Sequence, residues 1–225
     1  MQGNKASALR AFCLEHKLAF IRFDYSGHGG SGGEFGDGCI STWLADTLAI
    51  IDQLTTDEVV IVGSSMGAWI ALLASLARPN KVKGLLLLAC AADMTRYYPK
   101  RLKGLSAKVD SKSRVFYSVP NQYDDQKPYS IYKHLIDDGE LHYLTDGPIE
   151  LDVPVRLIHG LDDEVVEWQR SKRVLDCLSS SDASLLTIDD GDHRLSTPSD
   201  LVQVLSVFTE LISIVVDNER SSSKH

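Results

Sequence analysis

Residues 63–67 read Gly63-Ser64-Ser65-Met66-Gly67, a Gly-x-Ser-x-Gly spacing. They stand between an apolar run, Glu58 to Gly63 (EVVIVG), and a helical one, Ala68 to Ala77 (AWIALLASLA). A strand–turn–helix of this kind holds its central serine on a sharp bend, with glycines where a side chain would clash. Ser65 is then exposed at the carboxyl edge of a sheet. The helix that starts beside it favours negative charge developing nearby, and the backbone N–H of Met66 becomes one donor to an oxyanion. A serine so placed attacks carbonyl carbon once a base takes its proton. Ser64 is the rival hydroxyl, one residue off the motif's centre and expected to face away.

The base and its acid follow an elbow serine along the chain, acid first. There are seven histidines. His193, in Asp190-Gly191-Asp192-His193, follows the last apolar run and precedes a closing helix, so it is the candidate base. His16 falls on a helix, His225 is terminal, and His134 and His142 lie in a polar segment. His159 ends a strand beside Gly160 and reads as structural. His28 sits in a loop at a strand's carboxyl edge and reads as a pocket wall. For the acid, His159-Gly160-Leu161-Asp162-Asp163-Glu164 offers three carboxylates. A position three past the glycine selects Asp163 to accept the histidine N–H and hold its tautomer. Asp162 and Glu164 are the alternatives, otherwise solvated loop charges.

The elements that must position these groups alternate. A helix is expected over Lys5 to His16 and a strand over Leu18 to Phe23. Ile40 to Leu54 carries an apolar helical stripe, with Ser41 or Thr42 as cap near its start. Val82 to Ala89, Val155 to His159 and Ser184 to Ile188 read as buried strands. Helices are expected near Trp168 to Leu178 and Ser199 to Val215. Apolar strands alternating with helices imply a parallel sheet covered on both faces. The exception is about 91–152, polar and proline-broken, which reads as a helical lid insertion within a single domain, 1–225.

Gly27-His28-Gly29-Gly30-Ser31-Gly32 matches a dinucleotide fingerprint, but no helix opens at its third glycine to receive a pyrophosphate. The segment reads as a loop, and no cofactor or metal is expected. The net charge of −8 argues against nucleic acid and anionic membranes as partners. Cys13, Cys39, Cys90 and Cys177 show neither CxxC nor metal-ligand spacing and read as reduced thiols. No apolar run is expected to span a bilayer, and residues 1–5 carry no targeting pattern.

Ile21-Arg22-Phe23-Asp24-Tyr25-Ser26-Gly27-His28-Gly29 with Ser31, and Val62 to Trp69, resemble α/β-hydrolases. Together with Pro154 to Gly160 and Asp192-His193-Arg194, they resemble the branch of the mitochondrial palmitoyl-protein thioesterase, which is also a mycophenolic acid acyl-glucuronide esterase. The likeness runs roughly from Gly3 to Leu211. It implies Ser65 as nucleophile, Asp163 as acid and His193 as base. The implied activities are removal of palmitoyl groups from protein cysteines and acyl-glucuronide hydrolysis, in the mitochondrion of a eukaryote or the cytoplasm otherwise. In that family a strand and short loop precede the segment that residues 1–6 resemble, and the loop supplies a second oxyanion donor. The expectation is therefore a shortened α/β-hydrolase with its first strands missing. Its substrate is an acylated protein or a small acyl ester. The rival expectations are a catalytically impaired binding form and a small-molecule carboxylesterase.

Overall fold

The computed structural model describes residues 3–120 and 128–222. In chain order the elements are α1 (Asn4–Glu15), α2 (Ile40–Leu54), β1 (Val59–Ser64), α3 (Met66–Ala77), β2 (Val82–Leu88) and α4 (Tyr98–Arg101). There follow β3 (Lys108–Val109), β4 (Val115–Val119), β5 (Tyr129–Tyr132), α5 (Lys133–Gly139), β6 (Val155–Gly160), α6 (Gln169–Cys177), β7 (Ala183–Ile188) and α7 (Pro198–Ser222). The chain divides into two compact units. One comprises Met1–Phe23, Thr47–Ala92 and Leu144–His225; the other comprises Asp24–Asp46 and Asp93–Tyr143.

The first unit is built on a four-stranded sheet of order β1-β2-β6-β7, parallel throughout. β2 and β6 are buried almost along their length. This matches their largely apolar sequences, since inner strands of a parallel sheet are covered on both faces. On one face, Val204, Phe208, Leu211 and Val215 of α7 and Leu9 and Cys13 of α1 form a core with Leu86, Leu88, Ile158 and Ile188. The α7 residues recur at three to four positions, so one helical stripe meets the sheet. Each such buried side chain contributes roughly 1.5–3 kcal/mol. Thr197 and Asp200 cap α7 reciprocally: the Asp200 carboxylate accepts the Thr197 N–H (2.9 Å) and the Thr197 hydroxyl accepts the Asp200 N–H (3.2 Å).

Three expectations need correction here. Leu18 to Phe23 is not a strand, because no described strand pairs with it. A strand needs a ladder partner as well as apolar side chains, and here Leu18 and Phe20 simply pack against the core. The final helix runs to Ser222, and its Pro198–Asn218 stretch is long and apolar enough to cross a bilayer. Asp200, Glu210 and Asp217 interrupt that stretch, so it shows no unbroken apolar run in the sequence. Its inner stripe is spent on the sheet core. Finally, Ser184 to Ile188 is not a buried strand: β7 ends the described sheet, and its residues alternate between partly buried and exposed as far as Ile188. β6 is buried as expected, Arg156 included, its guanidinium held by Asp182 (2.8 Å) and Glu210 (3.0 Å).

The second unit contains more than helices. β3, β4 and β5 form an antiparallel sheet, with Val119 and Ile131 packed on Leu102. The prolines and charges around VFYSV and YSIY mask their strand character in the sequence. Ser41 lies inside α2, and the cap comes from a distant residue: Asp138 accepts the Ser41 N–H (2.9 Å) and hydroxyl (2.6 Å). In the glycine loop the Asp24 carboxylate accepts the Gly30 N–H (3.0 Å). The loop continues into a 3-10 turn at Phe35–Asp37 rather than a helix.

Candidate active site

β1 ends at Ser64 and α3 begins at Met66, leaving Ser65 alone at the bend. Ser65 has φ 55° and ψ −120°, a conformation that costs a non-glycine residue on the order of 1–3 kcal/mol. The surroundings impose it. The Ser65 N–H donates to the Leu88 carbonyl (2.8 Å), and the Ser65 carbonyl accepts from Ala68 (3.0 Å) and Ala91 (3.2 Å). A Cβ on Gly63 would stand 2.6 Å from the Gly67 carbonyl carbon and 2.7 Å from the Ala68 Cα, so this side of the elbow admits only glycine. Met66 opens α3, and its N–H is one of the first-turn amides with no carbonyl partner inside the helix.

The loop after β7 carries His193. Its preceding residue, Asp192, accepts the N–H groups of Arg194 and Leu195, both at 2.9 Å. Lys5 of α1 donates to the Arg194 carbonyl. Burial lowers the Lys5 ammonium pKa, while Asp192, Asp163 and Asp200 oppose that shift. The loop after β6 carries Asp163. The two loops touch through backbone: Asp162 N–H donates to the Gly191 carbonyl (3.0 Å) and Leu161 N–H to Ile188 (2.8 Å). A Cβ on Gly160 would stand 2.8 Å from the Gly191 Cα, so the approach requires glycine.

These loops bring three of the side chains singled out in the sequence into one hydrogen-bonded line. His193 Nε2 is 3.1 Å from Ser65 Oγ, and His193 Nδ1 is 2.7 Å from Asp163 Oδ2. With Nδ1 facing a carboxylate, the proton resides there, and Nε2 accepts the Ser65 O–H. Asp163 has its side chain wholly buried, whereas Asp162 and Glu164 are exposed. Burial works to raise the Asp163 carboxyl pKa; hydrogen bonds from His159, His193 and the Val166 N–H outweigh it and hold the carboxyl well below its usual range.

Ser64 instead lines an open cleft of about 460 Å³ with Val62, Leu88, Lys5, Arg194 and Ser196. His28 belongs to an aromatic group with Trp43 (5.2 Å) and Phe35 (5.3 Å), its Nδ1 3.3 Å from the Ser26 carbonyl. His159, read from the sequence as structural, lies fully buried with Nε2 3.0 Å from Asp163 Oδ2. The four-residue step from His159 to Asp163 across Gly160 was the available signal. Ser171, on α6, carried none; its hydroxyl is 2.6 Å from His159 Nδ1.

A parallel sheet with a strained serine between β1 and α3, and loops at the carboxyl ends of β6 and β7 converging on it, defines an α/β-hydrolase. The comparisons place it more narrowly. The family described as serine aminopeptidase, S33 (Hydrolase_4) matches residues 6–135. Palmitoyl-protein thioesterase ABHD10, mitochondrial, from Mus musculus is 36% identical over 214 residues, 94% of this chain and 71% of that protein. The Homo sapiens protein is also 36% identical, over 94% and 69%. The mouse α/β hydrolase domain-containing protein 10 structure superimposes with TM-score 0.84 at 35% identity, covering 96% of this chain and 86% of that one. A putative hydrolase from Agrobacterium vitis S4 gives 0.81 at 31%, covering 94% and 83%. The chain belongs to the ABHD10 family of α/β-hydrolases, and it is a serine hydrolase acting on acyl-ester substrates.

Proposed function

We propose that the chain hydrolyses long-chain acyl thioesters on protein cysteines, with acyl-glucuronide esters as a second substrate group, through Ser65, Asp163 and His193. The observation that carries the assignment of residues is the unbroken line Ser65–His193–Asp163, at 3.1 and 2.7 Å, around a serine whose backbone is held in a strained bend. Ser65 Oγ attacks the carbonyl carbon as its proton passes to His193 Nε2. The oxyanion accepts the Met66 N–H; one such donor is worth about 10²–10³ in rate. Collapse expels the thiolate or alkoxide, which takes the proton back from His193. Water then enters by the same route and frees the acid and Ser65. Asp163 holds the Nδ1–H tautomer and stabilises the imidazolium.

The substrate class rests on the name of the relatives, palmitoyl-protein thioesterase. Their mitochondrial designation supports the same compartment for this chain if its source is eukaryotic; for any other source the compartment we propose is the cytoplasm. We read residues 1–225 as one hydrolase domain with a lid insertion over about 91–152. A fluorophosphonate probe followed by mass spectrometry tests the residues: label at Ser65, lost in His193→Ala, is expected, and turnover retained by Ser65→Ala refutes the assignment. Rates on a palmitoyl-cysteine peptide, an acetyl ester and an acyl-glucuronide test the substrate. Refusal of chains longer than about octanoyl, with acetyl esters still hydrolysed, would overturn the thioesterase reading.

A further inference from the structure

Asp163 meets two histidines on one oxygen. His193 Nδ1 and His159 Nε2 lie 2.7 and 3.0 Å from the same Oδ2, while Oδ1 accepts the N–H groups of Val165 and Val166, both at 2.8 Å. His159 is buried completely. Its tautomer is determined by its partners. Nε2 faces two acceptors, the Asp163 carboxylate and the Val166 carbonyl at 2.9 Å, so Nε2 carries the proton. Nδ1 is then an acceptor, and the Ser171 hydroxyl at 2.6 Å donates to it. Ser171 is itself fully buried. A buried imidazole, carboxylate and hydroxyl each cost stability unless paired; here every polar atom of the relay is matched.

We infer that His159 and Ser171 are positioning residues for hydrolysis: Ser171 sets the His159 tautomer, and the His159 N–H fixes the rotamer of Asp163 and shares the charge on Oδ2. The inference rests on the reading of Ser65, Asp163 and His193 as the catalytic residues. Sharing Oδ2 has a chemical consequence. A carboxylate that gives its whole charge to His193 stabilises the imidazolium more than one that divides it between two rings. The Val165 and Val166 amides hold only the other oxygen, so without His159 the carboxylate can pivot about them. Charged groups near the relay include Asp163 itself, its loop neighbours Asp162 and Glu164, His193 with its neighbours Asp192 and Arg194, and Lys5, which couples to Asp163. All of them remain in the variants below, so a change in pH profile reports the relay.

The test compares His159→Phe, His159→Gln, Ser171→Ala and Ser171→Thr in steady-state hydrolysis of a p-nitrophenyl ester from pH 5 to 9, with circular dichroism to establish folding. His159→Phe keeps a ring and removes the donor. We expect kcat to fall about tenfold, the range of one hydrogen bond to a charged group, with KM unchanged. The acidic limb of the pH profile should move to higher pH. His159→Gln, whose amide can still donate, should recover most of kcat. Ser171→Ala, a smaller change suited to the case where His159→Phe does not fold, should show the same limb shift with a drop of about threefold, reversed in Ser171→Thr. Folded Ser171→Ala with a wild-type profile and kcat overturns the inference, as does a loss confined to KM. Ser65→Ala is run beside them: an active Ser65→Ala sinks the underlying assignment, whereas an inactive Ser65→Ala with wild-type relay variants sinks the relay alone.

Discussion

Gly160→Ala should damage catalysis although it replaces none of the proposed catalytic side chains. The added Cβ would lie 2.8 Å from the Gly191 Cα, with the Gly191 carbonyl nearer still, against 3.4–4 Å for ordinary contact. The obstacle is backbone, so no side chain can rotate away. The loops after β6 and β7 must part by about 1 Å, which breaks the Asp162-to-Gly191 hydrogen bond now at 3.0 Å and draws Asp163 away from His193. Overpacking of this kind costs about 1–3 kcal/mol of stability, and a misplacement of about 1 Å in reacting groups costs roughly 10² in rate. Thermal unfolding and kcat/KM on a p-nitrophenyl ester measure the two effects. A folded Gly160→Ala protein within threefold of wild-type kcat/KM would refute the claim that this backbone contact holds acid and base in register.

Other consequences can be checked with the same preparations. Ser65→Gly relaxes the strained φ of 55° and should raise stability by about 1 kcal/mol while abolishing turnover; an unchanged melting temperature argues against stored strain. Asp163 has its carboxyl pKa held below the unfolded value of about 3.9. Its charged form therefore stabilises the fold above about pH 4, and that contribution is lost as pH falls through the folded value. The gap in melting temperature between wild type and Asp163→Asn should narrow below about pH 4; a gap constant from pH 7 to pH 3 contradicts the linkage. Arg156→Ala removes a buried guanidinium from between Asp182 and Glu210 and should cost about 2–4 kcal/mol. Because both partners are about half exposed, Glu210→Gln should cost under about 1 kcal/mol, and an equal loss in the two variants would show that the pairing, not the burial, dominates.

Much of this architecture is legible in the order of the amino acids alone. Alternation of apolar strands with helices, and glycines at 63 and 67 around Ser65, follow from local rules: a parallel strand is apolar on both faces, and a tight strand–helix turn excludes Cβ atoms. Those rules act within a few residues, so the sequence displays them. Ser65, Asp163 and His193 can be singled out because each follows its own strand at a definite offset.

Other features depend on partners far along the chain. Leu18 to Phe23 has strand composition and forms none, because composition cannot supply a ladder. The cap of α2 comes from Asp138, almost a hundred residues away. What physically separates Asp163 from its charged neighbours, burial and two histidines gathered around one oxygen atom, is not displayed by its spacing from Gly160. Ser171 has no motif at all, and His159 shows only its four-residue step to Asp163. Their pairing exists because β6 and α6 pack side by side, and a hydrogen bond between buried groups is a property of that packing, which residue types alone do not specify.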